Sequence, residues 1–406
     1  MIQSKGFLYL TSADFIVRSA YQMGKTPLLP LYAASLGAGD VLLGFIVSVS
    51  TLTGMILKPF IGILSDRWGK HAWLILGTAL FTGMPFLYKF VNTPDQLFAL
   101  RMAHGLATAI YGPVTLAYIA TLSENRRAER LAWFNIARNL GYVVGPIAAG
   151  WMLLTMDHVA VFTSIGIISS VAFVPVLMLP HTATTPHRQQ KSLFRQASEA
   201  LRAGARTPAI WLAGGLDANI NIALYATKAF LPLYALSNGT SVALAGAFFA
   251  VQEMVHICTN PLAGRITDRA NHKLTITVGM GLLGTAMITL TSWGSGLTVM
   301  ISAILMGTAQ GLVFPSTLAL VANTVSERQL GAGMGLVGAL KNAGKVGGPV
   351  MTGILITWLD FTYTFRSIGT ILLVISGAFW ILPHLIGKRN SAANHLEDSH
   401  RLDKSR

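Results

Sequence analysis

The sequence predicts an all-α membrane protein whose twelve transmembrane helices form two pseudo-symmetric six-helix bundles. Hydrophobic residues make up 52% of the chain and charged residues only 11%, whereas charged residues approach about a quarter of a soluble domain. Apolar stretches of roughly 20 residues, each long enough to cross a ~30 Å hydrocarbon core, recur along the chain. The charged turn at residues 62–71 also returns in altered form at residues 264–273. Two matching halves in an apolar chain are typical of transporters that rock one half against the other.

Apolar runs, glycine- and proline-rich turns and the alternation of basic loops place the individual helices. The first apolar stretch carries Asp14 and Arg18 and lacks a small-residue cleavage site. We therefore predict a transmembrane helix there rather than a cleaved signal peptide. The predicted helices lie at about 7–34, 41–65, 72–91, 95–122, 128–156, 159–180, 208–236, 241–267, 273–294, 296–323, 328–358 and 361–386.

The predicted helices divide the chain into four segments. The N-terminal bundle covers residues 1–180 and the C-terminal bundle covers residues 208–386. The basic segment 181–207 joins the two bundles on the cytoplasmic side, and its residues 193–201 are predicted to form an amphipathic helix on the membrane surface. The charged tail, residues 387–406, is expected to be cytoplasmic and disordered.

Basic residues concentrate in every second loop, for example at Arg67 and Lys70 and again at Arg126, Arg127 and Arg130. The intervening loops are nearly free of lysine and arginine, which is the pattern of the positive-inside rule. It predicts an integral membrane protein of the bacterial inner membrane with both termini in the cytoplasm. The formal net charge of +14 therefore indicates membrane orientation and gives no reason to expect a nucleic-acid partner.

The sequence offers little for catalysis. Cys258 is the single cysteine, so neither an internal disulfide nor a cysteine metal site is predicted. We find no P-loop, H-E-x-x-H or nucleophile-elbow motif. We therefore expect no enzymatic activity, no cofactor and no metal. We expect the protein to be a monomer in the lipid bilayer that transports a small-molecule substrate and uses protons as the coupling ion.

The repeat extends to polar residues inside several helix pairs. Chance similarity between apolar helices would not reproduce polar residues at a constant offset. Matching pairs, each 202 or 203 positions apart, are Asp14 and Asp217, Lys25 and Lys228, Pro113 and Pro315, and Arg138 and Lys341. The two halves therefore repeat the same six-helix unit.

The motif that begins at Gly62 closely resembles the conserved loop between helices 2 and 3 of the major facilitator superfamily, and the chain resembles that superfamily's twelve-helix drug/proton antiporters. We expect Gly62 to allow close approach of another helix and Gly69 to permit a tight turn. The resemblance implies that Asp66 latches helix 2 onto helix 11 when the protein opens outward. The motif and its second copy contribute Gly62, Asp66, Arg67, Gly69, Lys70, Asp268 and Arg269.

Two further motifs resemble those of the superfamily. Arg101, four residues before Gly105 in helix 4, resembles an arginine that the family links to proton movement; the alternative is an arginine that reaches the outer interface. Small residues spaced around a proline in helix 5 resemble the motif of the exporting branches, although they also suit tight helix packing. The residues of this motif and its repeat in helix 11 are Gly141, Gly145, Pro146, Gly150, Gly344, Gly348 and Pro349.

Charged residues inside the membrane are costly and normally face a cavity, so they are the candidates for substrate binding or coupling. Asp14 and Arg18, four residues apart, can pair on one helix face, although this pair can equally serve only to stabilise the bundle. Lys341 and Lys345 share a face of helix 11 and are predicted to bind an anion together. For Lys25 and Lys228, the alternative is that their side chains reach the outer headgroups. The candidates are Asp14, Arg18, Lys25, Arg101, Arg138, Asp217, Lys228, Glu253, His256, Lys341 and Lys345.

Glu253 and His256 lie three residues apart near the middle of helix 8. A carboxylate and an imidazole on one helix face can carry a proton between them. The alternative is a structural carboxylate that pairs with a lysine of another helix.

The leading hypothesis is a secondary active transporter that exchanges protons for a small organic solute, most simply as an exporter, through a basic cavity that favours anions. An organic-anion uptake or exchange transporter is the main alternative. A lipid flippase would need an apolar lateral opening, and a non-transporting receptor on the same fold would bind solute without flux. The sequence does not identify the substrate.

Overall fold

The computed structural model describes residues 2–122, 127–180, 207–269, 272–292, 296–324 and 327–403. Twelve helices occupy these residues, and three of them contain a break or an extension. In chain order they are α1 (Ile2–Lys25, continued by Leu28–Ser35), α2 (Asp40–Trp68), α3 (Lys70–Leu87, extended by a 3₁₀ turn at Tyr88–Phe90), α4 (Pro94–Thr121), α5 (Arg127–Met152), α6 (His158–Ser170 and Phe173–Leu177), α7 (Pro208–Ser237), α8 (Val242–Arg269), α9 (His272–Leu290), α10 (Gly296–Ala322), and the segment Glu327–Asp403, which a kink at Asp360 divides into α11 and α12.

The predicted all-α architecture of twelve helices is confirmed, and the observed ends lie within a few residues of most predicted ones. The break in α1 follows from Pro27, which has no N–H and disfavours helical backbone at Thr26. The kink between α11 and α12 lies at Asp360, whose backbone angles of φ 59° and ψ 176° are non-helical and interrupt the helix. The carboxylate of Asp360 also accepts a hydrogen bond from the Tyr363 backbone N–H at 3.0 Å, which caps the start of α12.

Seven segments of the described chain are long and apolar enough to cross a membrane by length and composition. One of these segments, 333–381, contains most of both α11 and α12. The helices that fall outside this set are α1, α4, α5 and α7, which carry Asp14, Arg101, Arg138 and Asp217, respectively. Their lower hydropathy therefore reflects polar residues that face the protein interior.

The repeated glycines set equivalent helix contacts in the two halves. In the N-terminal half, a Cβ added at Gly145 would lie 2.8 Å from the Ser19 carbonyl oxygen, so α5 packs closely against α1. In the C-terminal half, a Cβ at Gly348 would lie 2.6 Å from the Ile222 carbonyl oxygen, so α11 packs in the same way against α7. Both contacts need a residue without a side chain. The sequence repeat is thus a repeat of packing.

The two halves meet at the end of the bundle formed by residues 36–39, 153–157 and 238–241, which we call the far end. A Cβ at Gly44 of α2 would lie 2.4 Å from the Pro349 carbonyl oxygen of α11. The pseudo-symmetric contact joins α8 to α5, where a Cβ at Gly246 would lie 2.5 Å from the Pro146 carbonyl oxygen. A continuous apolar core that includes residues of both halves also fills this end. The far end is therefore closed.

At the opposite end, which we call the terminal end, the halves separate. The apolar cluster there in the N-terminal half includes Leu10 and Phe134, and a separate cluster in the C-terminal half includes Ile210 and Val337. No described atom lies within 4 Å of a Cβ built at Gly62. The expected close approach of a helix to Gly62 is not seen among the described atoms and remains a prediction.

The backbone after residue 387 also differs from expectation. We expected the tail to be disordered, but the helical segment Glu327–Asp403 continues through most of it. Alanine, leucine and glutamate residues at positions 392–397 have high helix propensity and extend α12. The predicted surface helix at residues 193–201 lies outside the described residues.

Candidate transport cavity

Asp14 of α1 is the centre of a charged cluster in the N-terminal half. Its carboxylate is almost fully buried and accepts two hydrogen bonds from the Arg138 guanidinium of α5, at 3.1 and 3.2 Å. Arg138 also donates to the Thr115 hydroxyl at 3.2 Å. The Arg18 Nε lies 3.6 Å from the Asp14 carboxylate. One carboxylate thus faces two guanidinium groups, and a bidentate pair fixes the position of Arg138.

The C-terminal half repeats this cluster with weaker contacts. Asp217 of α7 accepts a hydrogen bond from the Thr317 hydroxyl at 2.8 Å. Lys341, the counterpart of Arg138, interacts electrostatically with Asp217 and Glu253, and its Nζ lies 3.5 Å from the centre of the Phe314 ring. A lysine has one ammonium group and no planar fork, so it does not reproduce the bidentate geometry of Arg138.

Arg101 of α4 lies inside the N-terminal bundle and not at the outer interface. It is 1% exposed and donates to the Ser50 hydroxyl at 2.7 Å and to the Tyr88 hydroxyl at 3.3 Å. Tyr88 stacks on Phe162 with a separation of 3.8 Å between ring centroids and contacts His104 through its hydroxyl at 3.4 Å. The guanidinium is therefore held by hydroxyl groups of two other helical segments.

Glu253 and His256 form a buried hydrogen-bonded pair on α8. His256 Nδ1 lies 3.1 Å from the Glu253 carboxylate and also 3.1 Å from the Gln310 side-chain amide of α10. Gln310 in turn accepts a hydrogen bond from Gln252 at 2.5 Å. The charges of Lys228 and Lys341 also act on Glu253. The pair that the sequence placed on one helix face is thus connected to α10 through Gln310 and lies near the charges of Lys228 and Lys341.

Three of the predicted intramembrane lysines lie around one aromatic ring. The Nζ atoms of Lys25, Lys228 and Lys345 are 4.9, 5.3 and 5.7 Å from the centre of the Tyr225 ring. Lys25 belongs to the N-terminal half, whereas the other two belong to the C-terminal half. Lys345 is therefore turned toward Tyr225, whereas Lys341 is turned toward Phe314. A single anion site shared by Lys341 and Lys345 remains a prediction.

Sequence reasoning missed several residues that contact or act on these charged groups. Lys58 of α2 is partly buried and interacts electrostatically with Arg18 and Lys345. Lys58 precedes Pro59 in a predicted helix. A lysine inside that apolar run was the sequence signal that could have identified it. Tyr225 lies three residues before Lys228, so helical spacing was its signal. Thr115 has its counterpart, Thr317, 202 positions later, and this repeat was the only sequence signal for it.

The loop after α2 has the backbone expected of its glycine. Gly69 lies between α2 and α3 with φ 87°, in the region that favours glycine. The side chains of Asp66, Arg67, Asp268 and Arg269 lie outside the described residues. The latch between Asp66 and helix 11 therefore remains a prediction.

Two pseudo-symmetric six-helix bundles with charged residues at their interface are the architecture of a secondary transporter. The chain belongs to the Major Facilitator Superfamily, whose family model matches residues 15–294 and 220–401. Members of this family are membrane transporters that move small molecules and are not enzymes. The chain is accordingly an integral membrane transporter, as the sequence motifs indicated.

Curated relatives support the same assignment over most of the chain. An uncharacterized MFS-type transporter of Methanocaldococcus jannaschii, MJ1560, is 24% identical over 357 residues, which cover 86% of this chain and 91% of the relative. Multidrug resistance protein 2 of Bacillus subtilis is 22% identical over 373 residues, which cover 90% and 92% of the two chains. The crystal structure of the nucleoside transporter NupG shares the fold, with a TM-score of 0.80 at 14% identity over 92% of this chain and 98% of that one.

Proposed function

We propose that the protein is a proton-coupled exporter of a small organic solute and that its basic cavity favours anionic substrates. It acts as a monomer in a bacterial inner membrane with both termini in the cytoplasm. In that orientation the described structure is open to the cytoplasm and closed at the far end.

The observation that carries proton coupling is the contact between His256 Nδ1 and the Glu253 carboxylate. When Nδ1 carries a proton, it donates that proton to the Glu253 carboxylate across this 3.1 Å contact. When the proton leaves, Nδ1 becomes free to accept a hydrogen bond from Gln310, which is also at 3.1 Å. Gain or loss of one proton therefore exchanges hydrogen-bond partners between α8 and α10. Because both helices belong to the C-terminal bundle, this exchange can alter the packing beside the cavity.

Two observations support export. The chain carries the glycine–proline pattern of α5, which resembles that of exporting branches, and Pro146 of that pattern forms part of the closed far-end contact. One relative with high coverage carries the name Multidrug resistance protein 2.

The alternating basic loops support the cytoplasmic position of the termini.

The balance of intramembrane charge supports an anionic substrate. Seven basic residues and three acidic residues were predicted inside the membrane, and the partly buried Lys58 adds another positive charge. Asp14 is already paired with Arg138 and Arg18, so it does not offset the lysines. A cavity lined by uncompensated positive charge attracts anions and repels cations.

The test uses purified protein in sealed proteoliposomes with an imposed inside-acid pH gradient. Carboxyfluorescein serves as an anionic probe and ethidium as a cationic probe. We expect the gradient to drive accumulation of the anionic probe into vesicles that contain the wild-type protein. Substitution Glu253→Gln should abolish this accumulation but preserve exchange between labelled and unlabelled probe, because the amide keeps the size of the side chain and cannot release a proton.

A matched control replaces Asp157, which is far from the cavity and caps the start of α6 through the Ala160 backbone N–H. Asp157→Asn should leave gradient-driven accumulation unchanged. Accumulation that persists in the Glu253→Gln protein would refute coupling through Glu253. Preference for ethidium over carboxyfluorescein would refute the anionic cavity.

A further inference from the structure

We infer that Lys25, Lys228 and Lys345 form one binding site for a solute with at least two acidic groups, such as a dicarboxylate or a phosphate ester, and that this solute bridges the two halves. The inference rests on the proposed transport function and extends it by naming the substrate class. It depends on the arrangement of the three lysines around Tyr225, which the sequence repeat alone did not show.

The three ammonium groups are close to one another. Each lies within 5.7 Å of the centre of the Tyr225 ring. Two points that lie 5.3 and 5.7 Å from one centre are at most about 11 Å apart, so every pair of the lysine charges falls within that distance. This separation is close to one Debye length at ~0.1 M salt, and burial reduces the screening further. The three charges therefore repel one another.

The surroundings of the lysines leave most of this repulsion uncompensated. An aromatic ring attracts a cation over either of its two faces, so Tyr225 cannot offset three ammonium groups fully. Lys25 also contacts the Thr51 hydroxyl at 3.4 Å and lies 5.7 Å from the centre of the Tyr21 ring, with which it interacts electrostatically, but neither partner is a carboxylate. No described carboxylate forms a salt bridge with Lys25, Lys228 or Lys345. Two further lysines, Lys58 and Lys341, also act on Lys345.

The acidic residues of the cavity already have other partners. Asp14 is held by Arg138, and Asp217 accepts a hydrogen bond from Thr317 and senses Lys341. Glu253 interacts electrostatically with Lys228, but its hydrogen-bond partner is His256. A bound solute with negative charge can supply the missing compensation. A solute with one negative charge would leave two lysines unpaired, so at least two acidic groups fit the site best.

The position of the lysines explains how such a solute would act on the transporter. Lys25 lies in the N-terminal half, whereas Lys228 and Lys345 lie in the C-terminal half. Lys345 immediately precedes Val346, whose carbonyl oxygen accepts a hydrogen bond at 2.9 Å from Ser48 across the interface. Without an anion, repulsion between Lys25 and the other two lysines opposes this closed contact. A bound dianion replaces that repulsion with attraction and stabilises the closed far end.

The test measures thermal unfolding of the full-length purified protein with named probes at equal ionic strength and pH. Succinate and inorganic phosphate serve as probes with two acidic groups or charges, and acetate and chloride serve as singly charged references. We expect succinate or phosphate to raise the melting temperature in a saturable manner, while acetate and chloride do not. Equal stabilisation by all four ions would show that charge screening alone is responsible and would overturn the inference.

Single substitutions locate the site. Lys25→Gln, Lys228→Gln and Lys345→Gln should each weaken the apparent affinity for the effective probe by about tenfold or more, as expected when one charged hydrogen-bond partner is lost. Lys228→Arg keeps the charge and should retain most of the affinity, which separates a binding role from a folding role. Lys89, whose Nζ lies 4.8 Å from the exposed Phe90 ring, provides the matched control. Lys89→Gln should leave the affinity unchanged, and undiminished affinity in all three cavity variants would overturn the inference.

Failure of this inference can be distinguished from failure of the proposed function. If the dianions fail to stabilise the protein while Glu253 remains necessary for proton-driven accumulation, only the lysine site is refuted. If succinate or phosphate binds through the lysines while accumulation ignores the pH gradient, the site is supported and the proton-coupled function is refuted.

Discussion

Arg138 on α5 donates hydrogen bonds to both carboxylate oxygens of Asp14 on α1, at 3.1 and 3.2 Å. Their counterparts in the other half, Lys341 and Asp217, interact electrostatically without such a bidentate pair. The two halves therefore place an acidic and a basic residue at equivalent positions, but only the N-terminal pair forms a bidentate hydrogen-bonded contact. This asymmetry suggests a firm pair in the N-terminal half and a more adjustable pair in the C-terminal half.

Loss of either partner of the Asp14–Arg138 pair should destabilise the protein. We expect Asp14→Asn to lower the free energy of unfolding by about 3–5 kcal/mol, because it leaves the guanidinium groups of Arg138 and Arg18 without a counter-charge. Arg138→Gln should lower it less, because Arg18 still lies 3.6 Å from the Asp14 carboxylate. Thermal unfolding in detergent measures the change. The double variant should recover part of the loss. Single variants that unfold at the wild-type temperature would contradict the structural role of this pair.

The far-end contact at Gly44 should control closure. In Gly44→Ala, the added Cβ would meet the Pro349 carbonyl oxygen, so α2 and α11 should no longer close together. We expect transport to fall by about tenfold or more, equivalent to roughly 1.4 kcal/mol or more in the closing equilibrium. Spin labels at the exposed residues Leu154 and Ser237, in a protein whose Cys258 is replaced by serine, should report a longer distance across the far end.

The control for this variant is Gly62→Ala on the same helix. No described atom lies within 4 Å of a Cβ at Gly62, so the added methyl group should leave the far-end distance unchanged. Equal effects of Gly44→Ala and Gly62→Ala would indicate a general change in helix stability and would remove the closure argument.

The loop motif after α2 should matter more than its second copy. We expect Asp66→Ala to reduce transport severely at normal expression, because the family resemblance gives this residue a gating role. Asp268→Ala should reduce transport less, since its loop has Asn271 where the first copy has Gly69. Transport rates normalised to protein amount check both expectations, and a greater effect at Asp268 would reverse this ranking of the two loops.

The stabilising effect of Arg101 should depend on the shape of its guanidinium group and not only on its positive charge. It donates to Ser50 and Tyr88 at the same time, which the single ammonium of a lysine does not reproduce. We expect Arg101→Lys to lower stability by about 1–3 kcal/mol, because at least one buried polar partner is lost. Ser50→Ala removes only one of the two contacts and should have a smaller effect. Wild-type melting temperatures for Arg101→Lys would show that charge alone suffices.

Much of this architecture was predictable because its signals are local. Helix length and hydropathy are read from neighbouring residues, and the repeat of Asp14 as Asp217 is visible without a structure. The pairing of Arg18 with Asp14 followed from a spacing of four residues on one helix. The break at Pro27 and the helical tail after residue 387 were not predicted. At both places an apolar run adjoins a polar segment, so the sequence gives conflicting indications of helix and loop.

The sequence by itself determined the membrane class, the twelve helices, the two repeated halves and the identity of nearly all the buried charges. These properties follow from hydropathy and periodicity along the chain. Only the tertiary structure decided which charges lie together, because Asp14 pairs with Arg138 of another helix and Lys25, Lys228 and Lys345, from three helices, lie around the Tyr225 ring. Such distances depend on helix rotation and on which end of the bundle is closed. A change of facing by one residue, about 100° on a helix, would move a lysine from the cavity to the lipid.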